Sequence, residues 1–181
     1  MDIELRIITF DDIELVRNWR NSPEVAAYMY TSEEITSEQQ VAWYSKVKDD
    51  TSCRYWMIMH GDKPLGLASI TGINKTFNSC YWAFYLGDTT FRGGGVGAKV
   101  EYSVIEYAFN ELKLNKLRCE VIAFNEKVIQ MHEKFGFRRE AYYRQHTLKD
   151  GKFLDVVGLA LLKQDWLLVQ EFMFKKIYRK I

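Results

Sequence analysis

Proline is nearly absent from this 181-residue chain. Only Pro23 and Pro64 occur, so no proline-rich linker divides it. Cysteine is sparse too. Cys53, Cys80 and Cys119 are odd in number, far apart and without a Cys-x-x-Cys pair. That pattern argues for reduced thiols, and against a disulfide framework or a zinc knuckle. No apolar run approaches the ~20 residues of a membrane span. Met1-Asp2-Ile3-Glu4 lacks the basic and apolar regions of a secretory leader. Net charge is scant: 25 Lys and Arg against 24 Asp and Glu leave a formal +1. The chain therefore has no global electrostatic footprint for nucleic acid, although a local patch is compatible with that balance. Repeats and low-complexity tracts are missing as well. These absences predict a cytoplasmic protein with no membrane, nucleic-acid or metal partner.

What is present is ample apolar surface for one domain over 1–181, since 48% of the residues are hydrophobic. Ile3–Thr9 alternates as a strand, and Asp11 and Asp12 signal a helix over Ile13–Arg20 that stops at Asn21-Ser22-Pro23. A short helix is expected at Glu24–Met29. Thr36-x-x-Gln39 has the form of a capping box ahead of a helix over Gln40–Lys48. Arg54–His60 and Leu65–Ile73 read as strands around a Gly61-Asp62-Lys63-Pro64 hairpin, followed by an aromatic strand over Ser79–Leu86. Val96, Val100, Val104, Ile105 and Ala108 form a stripe at helical spacing within Val96–Glu111. Leu117–Ile122 is a strand, and Glu126–Phe135 a helix with Gly136 as its C-cap. Strands Phe137–Gln145 and Phe153–Leu162 are joined at Lys149-Asp150-Gly151. A basic amphipathic helix is expected over Asp165–Ile181, able to dock on the core or on a second subunit. The order predicts a mixed α/β fold built around one sheet.

The most informative stretch is Arg92-Gly93-Gly94-Gly95-Val96-Gly97-Ala98, between the aromatic strand and the long helix. Glycines that open a helix leave its first N–H groups bare, facing any anion together with the positive end of the helix dipole. A strand, a glycine turn and a helix start make a phosphate cradle. Two familiar cradles do not match. No Gly-Lys-Ser/Thr follows, as a P-loop requires, and Val100 stands where a dinucleotide fingerprint needs its third glycine. An ordinary glycine-rich helix entry also fits the residues.

The spacing Arg92-x-x-Gly95-x-Gly97 resembles the pyrophosphate loop of the GNAT N-acetyltransferases. A second segment, from Asn125 through His132 and Lys134 to Phe137, resembles that family's Asn-x-x-Ala-x-x-x-Tyr-x-Lys-x-Gly-Phe helix. The element order agrees over nearly the whole chain. The resemblance implies a mixed, mostly antiparallel central sheet flanked by helices, with acetyl-CoA as cosubstrate and no metal. It implies that the pyrophosphate lies on Arg92, Gly93, Gly94, Gly95, Val96, Gly97 and Ala98, and the pantetheine along Phe84, Tyr85 and Leu86. Asn125 would touch the pantetheine arm and Lys134 would reach the phosphates. Read from the residues alone, Asn125 serves equally as a helix N-cap, and Lys134 as part of a solvated face.

The same resemblance implies direct attack of a substrate amine on the thioester, with main-chain amides near Leu86 polarising its carbonyl. His132 stands where the family usually has tyrosine. It reads as an acid, as a hydrogen-bond partner for the departing thiolate, or as structural, because an unperturbed imidazole is only about a quarter protonated at pH 7. Tyr142 and Tyr143 are possible substitutes. Glu120, set among Leu117, Val121 and Ile122, is a candidate base with a raised pKa acting through water, unless strand alternation exposes it.

For the acceptor, segments such as Arg17-Asn18-Trp19-Arg20-Asn21 and Tyr81-Trp82-x-Phe84-Tyr85 resemble the amino-sugar branch of the family, from pseudaminic-acid biosynthesis. That likeness implies transfer to the 4-amino group of a UDP-4-amino-4,6-dideoxy sugar, held by Arg20, Met29, Tyr30, Gln40, Trp43, Tyr81 and Tyr85. Uracil stacks on aromatic faces and arginine forks onto a diphosphate. Each of these residues also reads as core or solvated surface. Rival acceptors are a protein N-terminal amine and a polyamine, the latter served by Glu33, Glu34 and Glu38. A CoA-binding sensor without catalysis is the alternative of another class. A homodimer is compatible with the tail helix.

Overall fold

Alternating apolar residues pair into strands β1 (Glu4–Ile7), β2 (Arg54–His60), β3 (Lys63–Asn74), β4 (Ser79–Leu86), β5 (Lys116–Ile122), β6 (Arg138–Lys149) and β7 (Lys152–Leu162). They form one seven-stranded sheet in the order β1-β2-β3-β4-β5-β7-β6. The computed structural model describes residues 2–178. Neighbouring strands are antiparallel except β4 and β5, which are parallel. A parallel pair needs a crossover, and helix α4 (Val96–Glu106) provides it.

That parallel pairing is short. It joins Ser79 to Lys116, Cys80 to Leu117 and Tyr81 to Arg118. Beyond these residues β4 stays bonded to β3 as far as Leu86, and β5 stays bonded to β7 as far as Ile122. The two strands part, and the sheet opens into a V.

The period of two along each strand separates two cores. On one face Trp56, Ile58, Trp82 and Leu117 pack beneath α4, α5 (Glu126–Lys134) and α6 (Lys163–Tyr178), whose Val100, Ile129 and Trp166 are buried against them. On the other, Met57, Met59 and Leu67 meet Val16 of α1 (Ile13–Asn21) and Trp43 of α3 (Ser37–Val47). Fully burying each such side chain contributes about 1.5–3 kcal/mol.

Several element ends differ from expectation. Helix α3 starts at Ser37, one turn earlier than predicted, because the capping box itself is its N-terminus. The Thr36 hydroxyl accepts from Gln39 N–H at 3.3 Å, and Gln39 Oε1 accepts from Thr36 N–H at 2.9 Å. Helix α2 is confined to Pro23–Ala26. Helix α4 ends at Glu106 and widens into a π-helical turn over Tyr107–Glu111. The first hairpin turns at Gly61-Asp62, and Pro64 lies within β3 beside a bulge at Ile58/Met59 that tolerates its missing N–H. Strand β6 runs on to Lys149, so the last hairpin turns at Asp150-Gly151, both at positive φ. Helix α6 begins at Lys163; Arg179, Lys180 and Ile181 of the expected tail lie outside the described residues. No helix among the described residues is long and apolar enough to cross a membrane.

The end of β6 fastens the segment after α2 across the sheet. Buried Lys149 donates to the carbonyl of Ala26 and, at 2.8 Å, to that of Met29, while Thr147 Oγ1 donates to Tyr30 O at 3.2 Å. Lys149→Met is expected to lower unfolding free energy by about 2 kcal/mol, because hydrogen bonds from a charged donor are lost. Denaturant titration checks this, and faster amide exchange at Met29 and Tyr30 locates the effect.

Candidate active site

Parting from β5 leaves the β4 edge from Trp82 to Leu86 without a strand partner on that side. At its end, Asp88 accepts from Thr90 N–H at 3.0 Å and starts a 3-10 turn over Thr89–Phe91. The glycines then swing the chain into α4. Gly93 and Gly95 have φ of 86° and 79°, and Gly95 is the left-handed N-cap of the helix, a conformation that disfavours any residue with a Cβ. Lys99 N–H bonds Gly95 O at 3.3 Å, whereas the N–H groups of Val96, Gly97 and Ala98 meet no acceptor among the described residues. A Cβ at Gly93 or Gly95 would find open space. One at Gly97 would lie 3.3 Å from Phe84 Cζ and 3.4 Å from Met131 Sδ. The loop thus offers bare donors outward while pressing inward on β4 and α5, and it fits a diphosphate.

Other residues assigned to the cofactor divide. The Arg92 guanidinium turns away from the helix start and donates to Glu24 O at 3.0 Å and Leu86 O at 3.5 Å, bracing α2 against the end of β4. Asn125 occupies the N-cap of α5 at φ −85° and ψ 53° but makes no side-chain capping bond, so its amide remains open to a ligand. Lys134 is exposed in the last turn of α5.

His132 sits at the point of the V. Its ring meets Trp82 edge-on at 5.1 Å, and its thiol neighbour is Cys119; these are the first residues of β4 and β5 beyond the last paired ones. His132 is 3% exposed, and its Nδ1 lies 2.8 Å from Oε1 of Glu101, a carboxylate of α4 with no exposure at all. Burial works against an imidazolium, but Glu101 and then Cys119 outweigh it and push His132 up to about 10. Burial likewise raises Glu101, opposed by His132. Both groups hold protons more tightly than usual. The family-position acid is thus an ionic partner within the core rather than a solvated imidazole.

For Glu120 the structure takes the exposed alternative. Alternation along β5 turns Leu117, Cys119 and Val121 into the helical core and Glu120 out of the opposite face, where it is exposed. The desolvated carboxylate read from its neighbours is absent. Instead Glu120 Oε2 accepts from the Tyr30 hydroxyl at 2.8 Å, across 90 positions of chain. Burial, then this carboxylate, raises the Tyr30 phenol well above its ordinary value. Tyr143 adds to the same effect, and His146 lies edge-on to Tyr30 at 6.2 Å. Tyr142 is mostly exposed and bonds Asp155 at 2.6 Å, away from this cluster.

On the β4 side of the V, the face carrying α1 and α3 holds a cavity of about 340 Å³. Arg20, Met29, Gln40, Trp43 and Tyr85 line it. Tyr55, Leu67 and Ser69, which sequence reasoning left unassigned, do so too. Period-two alternation places Tyr55 with Met57 and Met59, but only the 5.0 Å edge contact with Trp43 shows that its ring walls a cavity. Three polar groups of the lining are buried without a hydrogen-bond partner among the described residues: Arg20 Nη1, Gln40 Nε2 and the Tyr85 hydroxyl. Burial lowers Arg20, and burial raises Tyr85 against the pull of Arg20. Arg17, one turn away, is instead bound to Glu14 at 2.5 Å and to Ile35 O. Tyr81 and Tyr30 lie outside the cavity lining. Tyr81 faces Arg118, whose guanidinium lies 4.0 Å from the ring centre.

The parallel strands β4 and β5 thus part into a V beside a glycine-started helix. The family model described as Acetyltransferase (GNAT) domain matches residues 2–138. The chain belongs to the GNAT acetyltransferase family. It is an acetyl-CoA-dependent N-acetyltransferase. Among curated GNAT relatives, the acetyltransferase PseH of Campylobacter jejuni is 29% identical over 126 residues, 70% of this chain and 76% of that protein. The spermidine N(1)-acetyltransferase of Vibrio cholerae is 22% identical over 166 residues, 91% and 95% of the two chains. A crystal structure of the Vibrio cholerae spermidine N-acetyltransferase with CoA and spermine superposes with a TM-score of 0.85 at 22% identity. It covers 91% of this chain and 98% of that one, a likeness of fold. The mixed sheet with helices on both faces is the GNAT architecture. Among the described residues no three His, Cys, Asp or Glu side chains gather as a metal site.

Proposed function

We propose that this GNAT enzyme acetylates the 4-amino group of a UDP-4-amino-4,6-dideoxy-N-acetylhexosamine. One observation carries the reading: Arg20 Nη1, Gln40 Nε2 and the Tyr85 hydroxyl are buried, unpartnered and gathered on a cavity whose lining contains no carboxylate. Buried polar groups are ordinarily paired, and leaving them unpaired costs about 1–3 kcal/mol each. A ligand rich in acceptors and negative charge repays all three, and a nucleoside diphosphate is such a ligand. Trp43 and Tyr55 offer apolar faces to its base. A polyamine has the opposite charge and would meet Arg20 with nothing in the lining to neutralise it. Glu33, Glu34 and Glu38 are exposed, outside that lining.

Acetyl-CoA supplies an activated acetyl thioester. The N–H groups of Val96, Gly97 and Ala98 bind its diphosphate, the free edge of Trp82–Leu86 pairs with its pantetheine amides, and Asn125 steadies that arm. The acceptor amine enters between Tyr85 on one side and the Tyr30–Glu120 pair on the other. Glu120 takes the amine's proton, directly or through water, and the tyrosine hydroxyl fixes which oxygen faces it. His132, at the point of the V, gives a proton to the leaving sulfur.

Thiol release from acetyl-CoA is the test, across UDP-4-amino sugars, spermidine, spermine and peptides with free N-termini. Turnover is expected with the nucleotide sugar. Preference for a polyamine or a peptide would overturn the acceptor assignment.

A further inference from the structure

Glu101 belongs to none of the motifs, yet among the described residues it is a fully buried charged side chain in the core. It sits on the second turn of α4 with zero exposure, and one of its oxygens, Oε2, has no hydrogen-bond partner among the described residues. Isolated buried carboxylates are costly, and a leucine would fill such a site at lower cost. The other oxygen meets His132 Nδ1 at 2.8 Å. The ring so held stands between Trp82 and Cys119, where β4 and β5 begin to part.

We propose that Glu101 is a positioning residue for acetyl transfer: it fixes the His132 ring through Nδ1 and so leaves Nε2 as the ring nitrogen that donates to the leaving sulfur. This rests on the role given to His132 above. The carboxylate also keeps the ring an imidazolium. With Nδ1–H donated to Glu101, the only other ring proton is on Nε2. When the carbonyl carbon–sulfur bond breaks, its electron pair stays on sulfur and the Nε2 proton moves to it. The amine's proton leaves through Glu120, and the imidazole regains a proton from solvent. Acetyl-CoA and amine become amide and free thiol, with nothing oxidised or reduced.

Without Glu101 the balance at His132 reverses. The titratable groups facing the ring are Glu101 from α4 and Cys119 from β5. Trp82 of β4 and Phe137 beyond α5 complete its surroundings and do not ionise. With glutamine at 101, the carboxylate that opposes burial is gone, and the imidazole holds its proton less tightly. The protonated fraction at pH 7.5 then falls. Because the active form is the protonated one, the alkaline limb of the kcat profile moves to lower pH.

The first test uses the wild-type protein without any acceptor. The ¹⁵N shifts of the His132 imidazole are expected to report a doubly protonated ring at pH 8, and a neutral ring there overturns the proposal. The second uses the UDP-4-amino sugar assay. E101Q is expected to lower kcat about tenfold or more at pH 7.5, with recovery toward pH 5.5 and KM for acetyl-CoA within about twofold. In an H132F background E101Q should change nothing further. An E101Q profile with the wild-type shape overturns the proposal even if kcat drops, since a packing defect would leave the pH dependence in place. Equal rates for H132F and wild type would remove the role of His132, and that of Glu101 with it. Should every acceptor in the panel fail, the acceptor assignment falls, while the imidazole shifts still decide by themselves whether Glu101 keeps the ring protonated.

Discussion

Gly97→Val is expected to weaken acetyl-CoA binding by about a hundredfold or more. A Cβ at 97 already lies 3.3 Å from Phe84 Cζ and 3.4 Å from Met131 Sδ, and the branched methyls of valine have no space left between β4 and α5. Either the helix start shifts outward or the V is wedged. Both displace the N–H groups of Val96, Gly97 and Ala98 from a common anion. Losing two hydrogen bonds to a charged partner at about 1.5–3 kcal/mol each corresponds to that factor. Gly94→Ala is the control, because its Cβ would meet only Phe91 O at 3.6 Å and binding should persist. Calorimetric titration of both variants with CoA decides the matter. Undiminished affinity in Gly97→Val would mean that the diphosphate sits elsewhere.

Arg20→Met is expected to raise KM for the nucleotide sugar by about tenfold to a hundredfold, leaving KM for acetyl-CoA unchanged. The guanidinium is held down by burial, and its Nη1 is without a partner, so its charge awaits a ligand. One charge-assisted hydrogen bond accounts for the lower figure and a bidentate pair for the higher. Thermal unfolding separates this from a structural role. Removing a buried, unpaired cation should leave stability unchanged or improve it. A structural arginine, such as Arg17 bound to Glu14 and Ile35 O, would be missed. A KM shift for acetyl-CoA alone would place Arg20 with the cofactor instead.

The parts of the site legible in the sequence are those in which a short local pattern carries the physics. Glycines before a helical stripe expose main-chain donors whatever packs around them, so the loop could be read before its φ angles were known. The capping box at Thr36 and Gln39 and the C-terminal hairpin at Asp150-Gly151 are local in the same way. Side-chain direction was not. Arg92 lies within the loop's motif, yet its guanidinium bonds two carbonyls behind the loop. Glu120 has apolar neighbours in sequence, but a strand sends neighbours to opposite faces, and its real partner is Tyr30. Tyr81 belongs to the same aromatic strand as Tyr85, and only the crossing of β5 sets Arg118 over its ring.

By itself, then, the order of apolar stripes and glycines determined a mixed α/β fold around one sheet and a bare helix start suited to an anion. These are consequences of backbone geometry and residue periodicity, which act within a few positions. Which charges meet was decided only by the tertiary fold. Glu101 and His132 lie 31 residues apart and on different helices. They meet at 2.8 Å because α4 and α5 pack on the same face of a parting sheet, in surroundings where either charge alone would be costly.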